Sequence, residues 1–248
     1  MLKTALLKKL SIIIPTFNEE SSIQRALNSS FFADEIIVID SFSSDKTVEI
    51  VKKFNVKLIQ RKFDDFSSQK NYAIQKASND WVFILDADEE ITAQLRKSII
   101  FNLMHSSHYS GFLIKRTTFM MGQKLNFGGF NTKIVRLFKK KGSFYKGIVH
   151  EQIQVAGIIG KLNGSLNHYT YTSFNQFKKK IEYYAKLRAL ELYSKGKKVT
   201  LYHQWIKPIA RFVIHYIIKL GFLDGRKGLQ FSFLIAYGVW KRFEELKV

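Results

Sequence analysis

Trp81-Val82-Phe83-Ile84-Leu85-Asp86-Ala87-Asp88-Glu89-Glu90 passes from five apolar residues straight into four carboxylates interrupted by one alanine. An unbroken apolar run of that length reads as a strand buried on both faces, and the carboxylates mark where it leaves the core. The same pattern recurs toward the N-terminus. Leu10-Ser-Ile-Ile-Ile-Pro15 is an apolar run closed by proline. Glu35-Ile-Ile-Val-Ile-Asp40 ends on another carboxylate, followed by the turn-rich Ser41-Phe-Ser-Ser-Asp45, and Val56 to Gln60 forms a further strand. Helices fit between these runs. Glu20 to Ser30 carries Ile23, Ala26 and Leu27 at helical spacing after the potential caps Ser21 and Ser22, and Lys46 to Phe54 and Ser68 to Ala77 follow. This alternation predicts a parallel sheet covered by helices on both faces. Ligands bind such sheets beyond the carboxyl ends of the strands. Pro15-Thr16, Asp40-Ser41 and Asp86-Ala87-Asp88 are therefore expected along one edge.

Downstream the pattern changes. Gly122, Gly128, Gly129, Gly142, Gly147, Gly157 and Gly160 punctuate short apolar stretches between residues 110 and 168, as antiparallel strands and turns require. From about Ser173 the periodicity is helical. Arg211, His215 and Lys219 recur every fourth residue among apolar neighbours, which predicts a helix with one narrow cationic stripe. That helix is interrupted by charges, and the apolar stretch Leu229 to Trp240 is shorter than the ~20 residues a spanning helix needs.

The 248 residues are 46% hydrophobic and 15% aromatic, a composition that excludes a disordered chain. With no cysteine, disulfides and thiolate zinc sites are excluded, which suits a reducing compartment. Met1 to Leu10 carries Lys3, Lys8 and Lys9 and lacks the uninterrupted apolar stretch of a signal peptide, so it reads as mature protein. The net charge of +20 is uneven: residues 1–138 contribute +5 and residues 139–248 contribute +15. Such a field attracts polyanions, whether nucleic acid, an anionic membrane or a phosphorylated substrate. No helix-turn-helix, zinc-finger or RNP-like signature accompanies it, so no specific nucleic-acid partner is expected.

Clustered carboxylates at a strand end favour a bound cation, and hard oxygens suit Mg2+ or Mn2+ sharing coordination with substrate phosphates. Acids at a solvated helix N-terminus are the alternative for Asp86 and Asp88, and that reading is kept for Glu89 and Glu90. Pro15-Thr16-Phe17-Asn18-Glu19 and Asp40 sit where an acid or amide can bind a base or ribose, or where ordinary turn and capping chemistry suffices.

Leu10-Ser-Ile-Ile-Ile-Pro-Thr-Phe-Asn-Glu-Glu20 resembles the opening motif of family-two glycosyltransferases. Ile39-Asp40-Ser41-Phe42-Ser43-Ser44-Asp45-Lys46-Thr47 resembles their second motif, and Leu85-Asp86-Ala87-Asp88-Glu89 their metal-binding one. Ser68-Gln69-Lys70-Asn71, Arg136-Leu137-Phe138, Val149-His150-Glu151 and the segment Gly221 to Gly225 extend the likeness over nearly the whole chain. It is nearest to the WaaE/KdtX-like branch of bacterial lipopolysaccharide-core enzymes. Phe42 departs from the pattern, because glycine is commoner in that turn, which puts contacts near Ser43 in doubt.

The resemblance implies a GT-A fold, an α/β architecture with a Rossmann-like mixed sheet and flanking helices, over residues 1–170. A basic helical region over residues 171–248 would contact a membrane or another copy of the chain, or pack on the core. It implies an inverting enzyme that moves sugar from a nucleotide-diphospho-sugar, most often a UDP-sugar, to a lipid-linked or lipopolysaccharide-core acceptor. Pro15, Thr16, Phe17, Glu19, Asp40, Ser43, Lys70 and Asp86 would bind the donor, Asp88 with Asp86 would hold Mn2+ or Mg2+, and Glu151 would be the catalytic base. An isolated His-Glu pair on a strand is otherwise more often structural. His150 and His168 are candidate phosphate or metal contacts. The expected location is the cytoplasm, peripheral on the inner face of the bacterial cytoplasmic membrane. A nucleic-acid-binding protein and a metal-dependent nucleotidyltransferase are the competing readings.

Overall fold

A computed structural model describes residues 8–105, 108–147, 151–170 and 173–246. The chain forms two compact units. One runs up to Arg116 and includes Lys133–His168; the other comprises Thr117–Thr132 and the chain from Tyr169 onward.

The first unit is built on the predicted parallel sheet. Strands β1 (Leu10–Thr16), β2 (Glu35–Asp40), β3 (Lys57–Gln60) and β4 (Trp81–Ile84) lie in the order β3-β2-β1-β4, all parallel. Alternate residues point to opposite faces of a strand. Ile12, Ile14, Val38 and Phe83 accordingly pack with Ile23 and Leu27 of α1 (Ile23–Ser30). Ile13, Ile37, Ile39 and Ile84 pack on the other face with Ala73 and Ile74 of α3 (Phe66–Lys76). Burying each of the isoleucine, leucine, valine and phenylalanine side chains stabilises the fold by ~1.5–3 kcal/mol; the one buried serine in these strands, Ser11, donates to Glu35. The short α2 (Thr47–Val51) links β2 to β3.

Beyond β4 the sheet becomes mixed. Strands β5 (Glu89–Ile91), β6 (Tyr109–Met120), β8 (Thr132–Lys139) and β11 (Ile158–Thr170) extend it in the order β4-β8-β6-β11-β5. β8 runs antiparallel to β4, with Val82 opposite Phe138 and Phe83 opposite Leu137. β5 runs antiparallel to β11, with Glu89 opposite His168. A separate hairpin pairs β9 (Ser143–Lys146) with β10 (Gln152–Val155). Glu89 and Glu90 thus belong to a strand, not to a helix N-terminus as expected. The following helix α4 (Ala93–His105) starts later, with the Thr92 hydroxyl accepting from Leu95 N–H. Ser22 occupies the N-cap of α1, but its hydroxyl makes no capping bond. The Glu19 carbonyl accepts from the backbone N–H groups of Ser22 and Ile23 instead.

In the second unit, α5 (Phe174–Ser194) packs on α7 (Gly225–Glu245), and Gly238 lets the two approach closely at Ile181. Phe177, Phe231 and Leu234 form a core with Met120 and Leu125. Strand β7 (Gln123–Lys124) pairs with the end of β6. Helix α6 (Lys207–Val213) lies between two wide helical turns, Tyr202–Ile206 and Ile214–Ile218. The Asp224 carboxylate accepts from the backbone N–H of Asn126 and Phe127 at 2.9–3.1 Å. The expected cationic stripe is not formed. Arg211 and Lys219 are exposed, but His215 is buried, stacked on Phe130 and bonded through Nδ1 to the Gly128 carbonyl at 2.7 Å. Among the described residues no helix is long and apolar enough to cross a membrane.

Candidate active site

Parallel pairing delivers the first two polar clusters to the same sheet edge. Thr16 is in register with Asp40, and the Thr16 carbonyl accepts from Ser41 N–H at 3.0 Å. Asp40 accepts from the backbone N–H of Ser43 at 3.0 Å, from the Ser43 hydroxyl at 2.5 Å and from Gln60 Nε2 at 3.2 Å. The Ser43 hydroxyl in turn accepts from Asn18 N–H at 2.9 Å, tying the β1 loop to the β2 loop. Phe42 does not disrupt this turn. It adopts a left-handed backbone (φ 60°) with its ring exposed, occupying the conformation that glycine ordinarily supplies. Phe17 is likewise exposed, and Glu19 N–H donates to Thr47 Oγ1 at 2.8 Å. The Thr16 hydroxyl is buried without a hydrogen-bond partner. Pro15 pairs with Ile39 within the sheet.

Helix α3 joins these loops to the carboxylate turn after β4. Its Asp65 N-cap accepts from Ser68 N–H, fixing the helix start. Gln69 donates to the Ser41 hydroxyl at 2.5 Å. Its neighbour Lys70 is almost fully buried, 2.8 Å from Glu151 Oε1 and 3.5 Å from Asp86 Oδ1, with its ammonium 5.2 Å from the Tyr145 ring centre. Its ammonium is thus withdrawn from solvent. Asn71 holds β9 from the same helix, exchanging hydrogen bonds with the backbone of Tyr145 at 2.7 and 2.9 Å. Because β9 pairs with β10, that anchoring places Glu151, just before β10.

Arg136 completes the cluster from β8. The antiparallel register with β4 carries it to the exit of that strand, where it pairs with Asp86 and, at 3.1 Å, with Glu89 Oε1. Glu89, fully buried, also lies 3.7 Å from Arg116 and accepts from Asp86 N–H at 3.1 Å. On the far side of the turn, Asp88 Oδ2 faces His168 Nε2 at 3.2 Å.

The electrostatics follow from these contacts. Burial alone would raise the Asp86 pKa, but Arg136 and then Lys70 overrule it and hold the carboxyl well below the usual range. For Glu89 burial dominates and Arg136 offsets it only partly, so its pKa lies above the usual value. Burial would lower the pKa values of Lys70 and Arg136, yet Asp86 raises both. Three carboxylates (Asp86, Glu89, Glu151) thus meet three permanent cations (Lys70, Arg116, Arg136), and Asp88 is left with an imidazole.

Asp86 and Asp88 thus have different partners, Asp86 the Arg136 guanidinium and the Lys70 ammonium, Asp88 the His168 imidazole. An oxygen and an imidazole nitrogen facing one another suit a divalent ion of the Mn2+ or Mg2+ kind, which draws further ligands from phosphate and water. Asp88 and His168 fit that role. Among the described residues no three acidic or histidine side chains cluster as a ready metal site; Asp86, the other expected ligand, pairs with Arg136 and Lys70. His150 lies outside the described residues. Sequence reading assigned no role to Arg136, Arg116 or Gln69. A signal existed for Arg136, an arginine in the apolar strand Ile134-Val-Arg-Leu-Phe138, since a buried guanidinium demands a carboxylate partner.

Comparisons with known proteins bear on the family of the chain. Over 97% of its length, and over 87% of the relative's, the chain is 31% identical to an uncharacterized glycosyltransferase of Rickettsia typhi (strain ATCC VR-144 / Wilmington). It is 25% identical to the lipopolysaccharide core biosynthesis glycosyltransferase LpsC of Rhizobium meliloti (strain 1021), covering 94% of this chain and 92% of that one. Among solved structures, S. aureus TarS aligns with 86% of this chain and 45% of its own, at 20% identity and a TM-score of 0.49. Residues 11–162 match the family described as Glycosyl transferase family 2. The mixed sheet, its flanking helices and this match together establish that the chain belongs to glycosyltransferase family 2.

Proposed function

We propose that this glycosyltransferase moves a sugar, with inversion, from a nucleotide-diphospho-sugar of the UDP class to a lipid-linked or lipopolysaccharide-core acceptor. The observation carrying this reading is the assembly of the Asp86-Ala87-Asp88 turn, Lys70 and Glu151 into one ionic cluster beside the Thr16 and Asp40 loops. The likeness to LpsC supports the acceptor class.

In this reading Asp40 and Ser43, backed by Gln60 and Gln69, orient the nucleoside, and the exposed Phe17 ring offers its base an apolar face. Glu19, held at its backbone by Thr47, shapes the same loop with Pro15 and Thr16. Asp88 and His168 would hold Mn2+ or Mg2+, which supplies positive charge to a departing nucleoside diphosphate. Lys70 provides a second, fixed positive charge beside them. Glu151 accepts the acceptor hydroxyl's proton, a role that typically contributes ~10²–10⁴-fold to the rate. Its carboxylate is aimed by Lys70, whose ammonium donates to Oε1 at 2.8 Å. The acceptor would be met at the inner face of the cytoplasmic membrane, where the basic C-terminal unit is attracted to anionic lipid.

The test is thermal stabilisation by nucleotides with and without manganese. UDP plus Mn2+ is expected to stabilise the wild type, and Asp88→Ala to lose that shift while melting normally without ligand. A chain that responds to nucleoside triphosphate and releases pyrophosphate would instead be a nucleotidyltransferase.

A further inference from the structure

The second unit exposes an apolar surface that its own packing does not use. Trp205, Ile206, Ile209, Ile217, Ile218 and Leu223 are each more than half exposed, and all lie within the same short stretch of chain. An open groove of about 390 Å³ lies beside them, between α6 and α7, walled by Trp205, Pro208, Phe212, Phe233, Tyr237 and Trp240. That volume is within the usual range of small-ligand sites, ~300–1,000 Å³. Patches of this kind on a folded protein mark an interaction surface.

The surrounding charge selects the partner. Residues 201–233 carry five cations (Lys207, Arg211, Lys219, Arg226 and Lys227) and one acid, Asp224. Asp224 is buried and spent on backbone N–H groups. A second copy of the chain applied to this face by a two-fold axis would set like charges against each other. Nucleic acid could use the cations and the aromatic rings, but it would leave Ile206, Ile209, Ile217 and Ile218 without a partner, since isoleucine cannot stack on bases. Apolar side chains interleaved with lysine and arginine, on helices none of which is both long and apolar enough to span among the described residues, match the interface of an anionic bilayer.

We propose that this face, centred on Trp205 and Ile209, inserts into the surface of an anionic membrane, with the α6–α7 groove taking a lipid acyl chain. The inference deepens the acceptor reading and rests on it for its purpose, since the acceptor is presented in the same surface. The membrane contact itself is testable without turnover.

The experiment is co-flotation of the full chain with phosphatidylcholine vesicles, with and without phosphatidylglycerol, together with tryptophan emission. Trp81 is buried in the first unit, so a blue shift on vesicle addition reports Trp205 and Trp240. The wild type is expected to float with phosphatidylglycerol vesicles and to shift blue, and Trp205→Phe to lose much of the shift. Ile209→Asp, at an exposed position, is expected to weaken partitioning roughly tenfold or more. Arg211→Glu is expected to weaken it roughly five-fold or more. Absence of flotation at low salt would overturn the proposal. So would flotation without a blue shift that salt abolishes, which means adsorption by charge alone, or a dimer that Ile209→Asp dissociates. Ile209→Asp that keeps the UDP–Mn2+ thermal shift separates this claim from the donor site. If the wild type floats but shows no nucleotide shift, the donor reading fails and the membrane face stands.

Discussion

Glu89 illustrates how much one buried side chain can organise. Its carboxylate lies behind the Asp86-Ala87-Asp88 turn, accepts from Asp86 N–H, and holds Arg136, which in turn grips Asp86. Removing one member of such a buried set leaves an uncompensated charge, which typically costs ~3–5 kcal/mol. Glu89→Ala is therefore expected to lower stability by roughly that amount in urea melts. The double variant Glu89→Leu, Arg136→Met should recover part of the loss, because it removes both charges together. Glu151 belongs to the other class, a half-buried carboxylate whose proposed work is chemical. Glu151→Gln keeps the size and a hydrogen-bond partner for its surroundings but cannot take a proton. It is expected to cut kcat by ~10²–10⁴ with little change in thermal stability or in nucleotide binding, and a variant that retains full turnover would remove Glu151 from the mechanism. Residue type and position in the sequence pointed to Asp86 and Asp88, and the family resemblance to Lys70 and Glu151. The sequence left Glu89 with a capping role because four carboxylates within five positions look alike until a strand pairing assigns one of them to the interior.

At the scale of elements, α3 is the connector. Gln69, Lys70 and Asn71, three consecutive residues, reach the end of β2, the carboxylate turn and the hairpin strand β9 respectively. One helical turn therefore fixes three loops at once. The helical turn Ile214–Ile218 shows the opposite outcome, where periodicity misled. A four-residue spacing suggested a cationic stripe, but the turn sends His215 inward onto Phe130 and Gly128. Burial is the main force lowering its pKa, with Lys219 and Arg211 adding to it and the Gly128 bond opposing. A histidine whose folded pKa is depressed favours the folded state while neutral. That contribution is complete above the unfolded value near ~6.5 and is lost as pH falls from there toward the folded pKa. Stability to urea should therefore drop between neutral and mildly acid pH. In His215→Asn, which keeps a donor for the Gly128 carbonyl but does not titrate, that slope should flatten. An unchanged slope would assign the acid sensitivity elsewhere.

For the molecule as a whole, the excess of twenty positive charges sets non-specific behaviour more than fold. Any association with RNA should be insensitive to sequence and fall steeply with salt, because it rests on counterion release. A filter-binding titration against salt checks this, and a salt-resistant, sequence-dependent complex would reopen the nucleic-acid reading. The two units divide these properties between them. The first carries the carboxylate cluster, and the second carries most of the exposed apolar side chains and their flanking cations.

The amino-acid pattern alone determined the parallel core, its order of strands and helices, and the edge where the polar loops gather. Buried β-branched runs and short helical periods leave few other ways to hide apolar surface. Only the three-dimensional pairing decided which charges meet. Arg136 and His168 approach the Asp86-Ala87-Asp88 turn from strands fifty and eighty residues away, brought there by antiparallel registers that local patterning does not encode. The same long-range packing turned His215 into the core and left Trp205 and Ile209 outside, because whether a helical side chain is buried depends on which neighbour covers it.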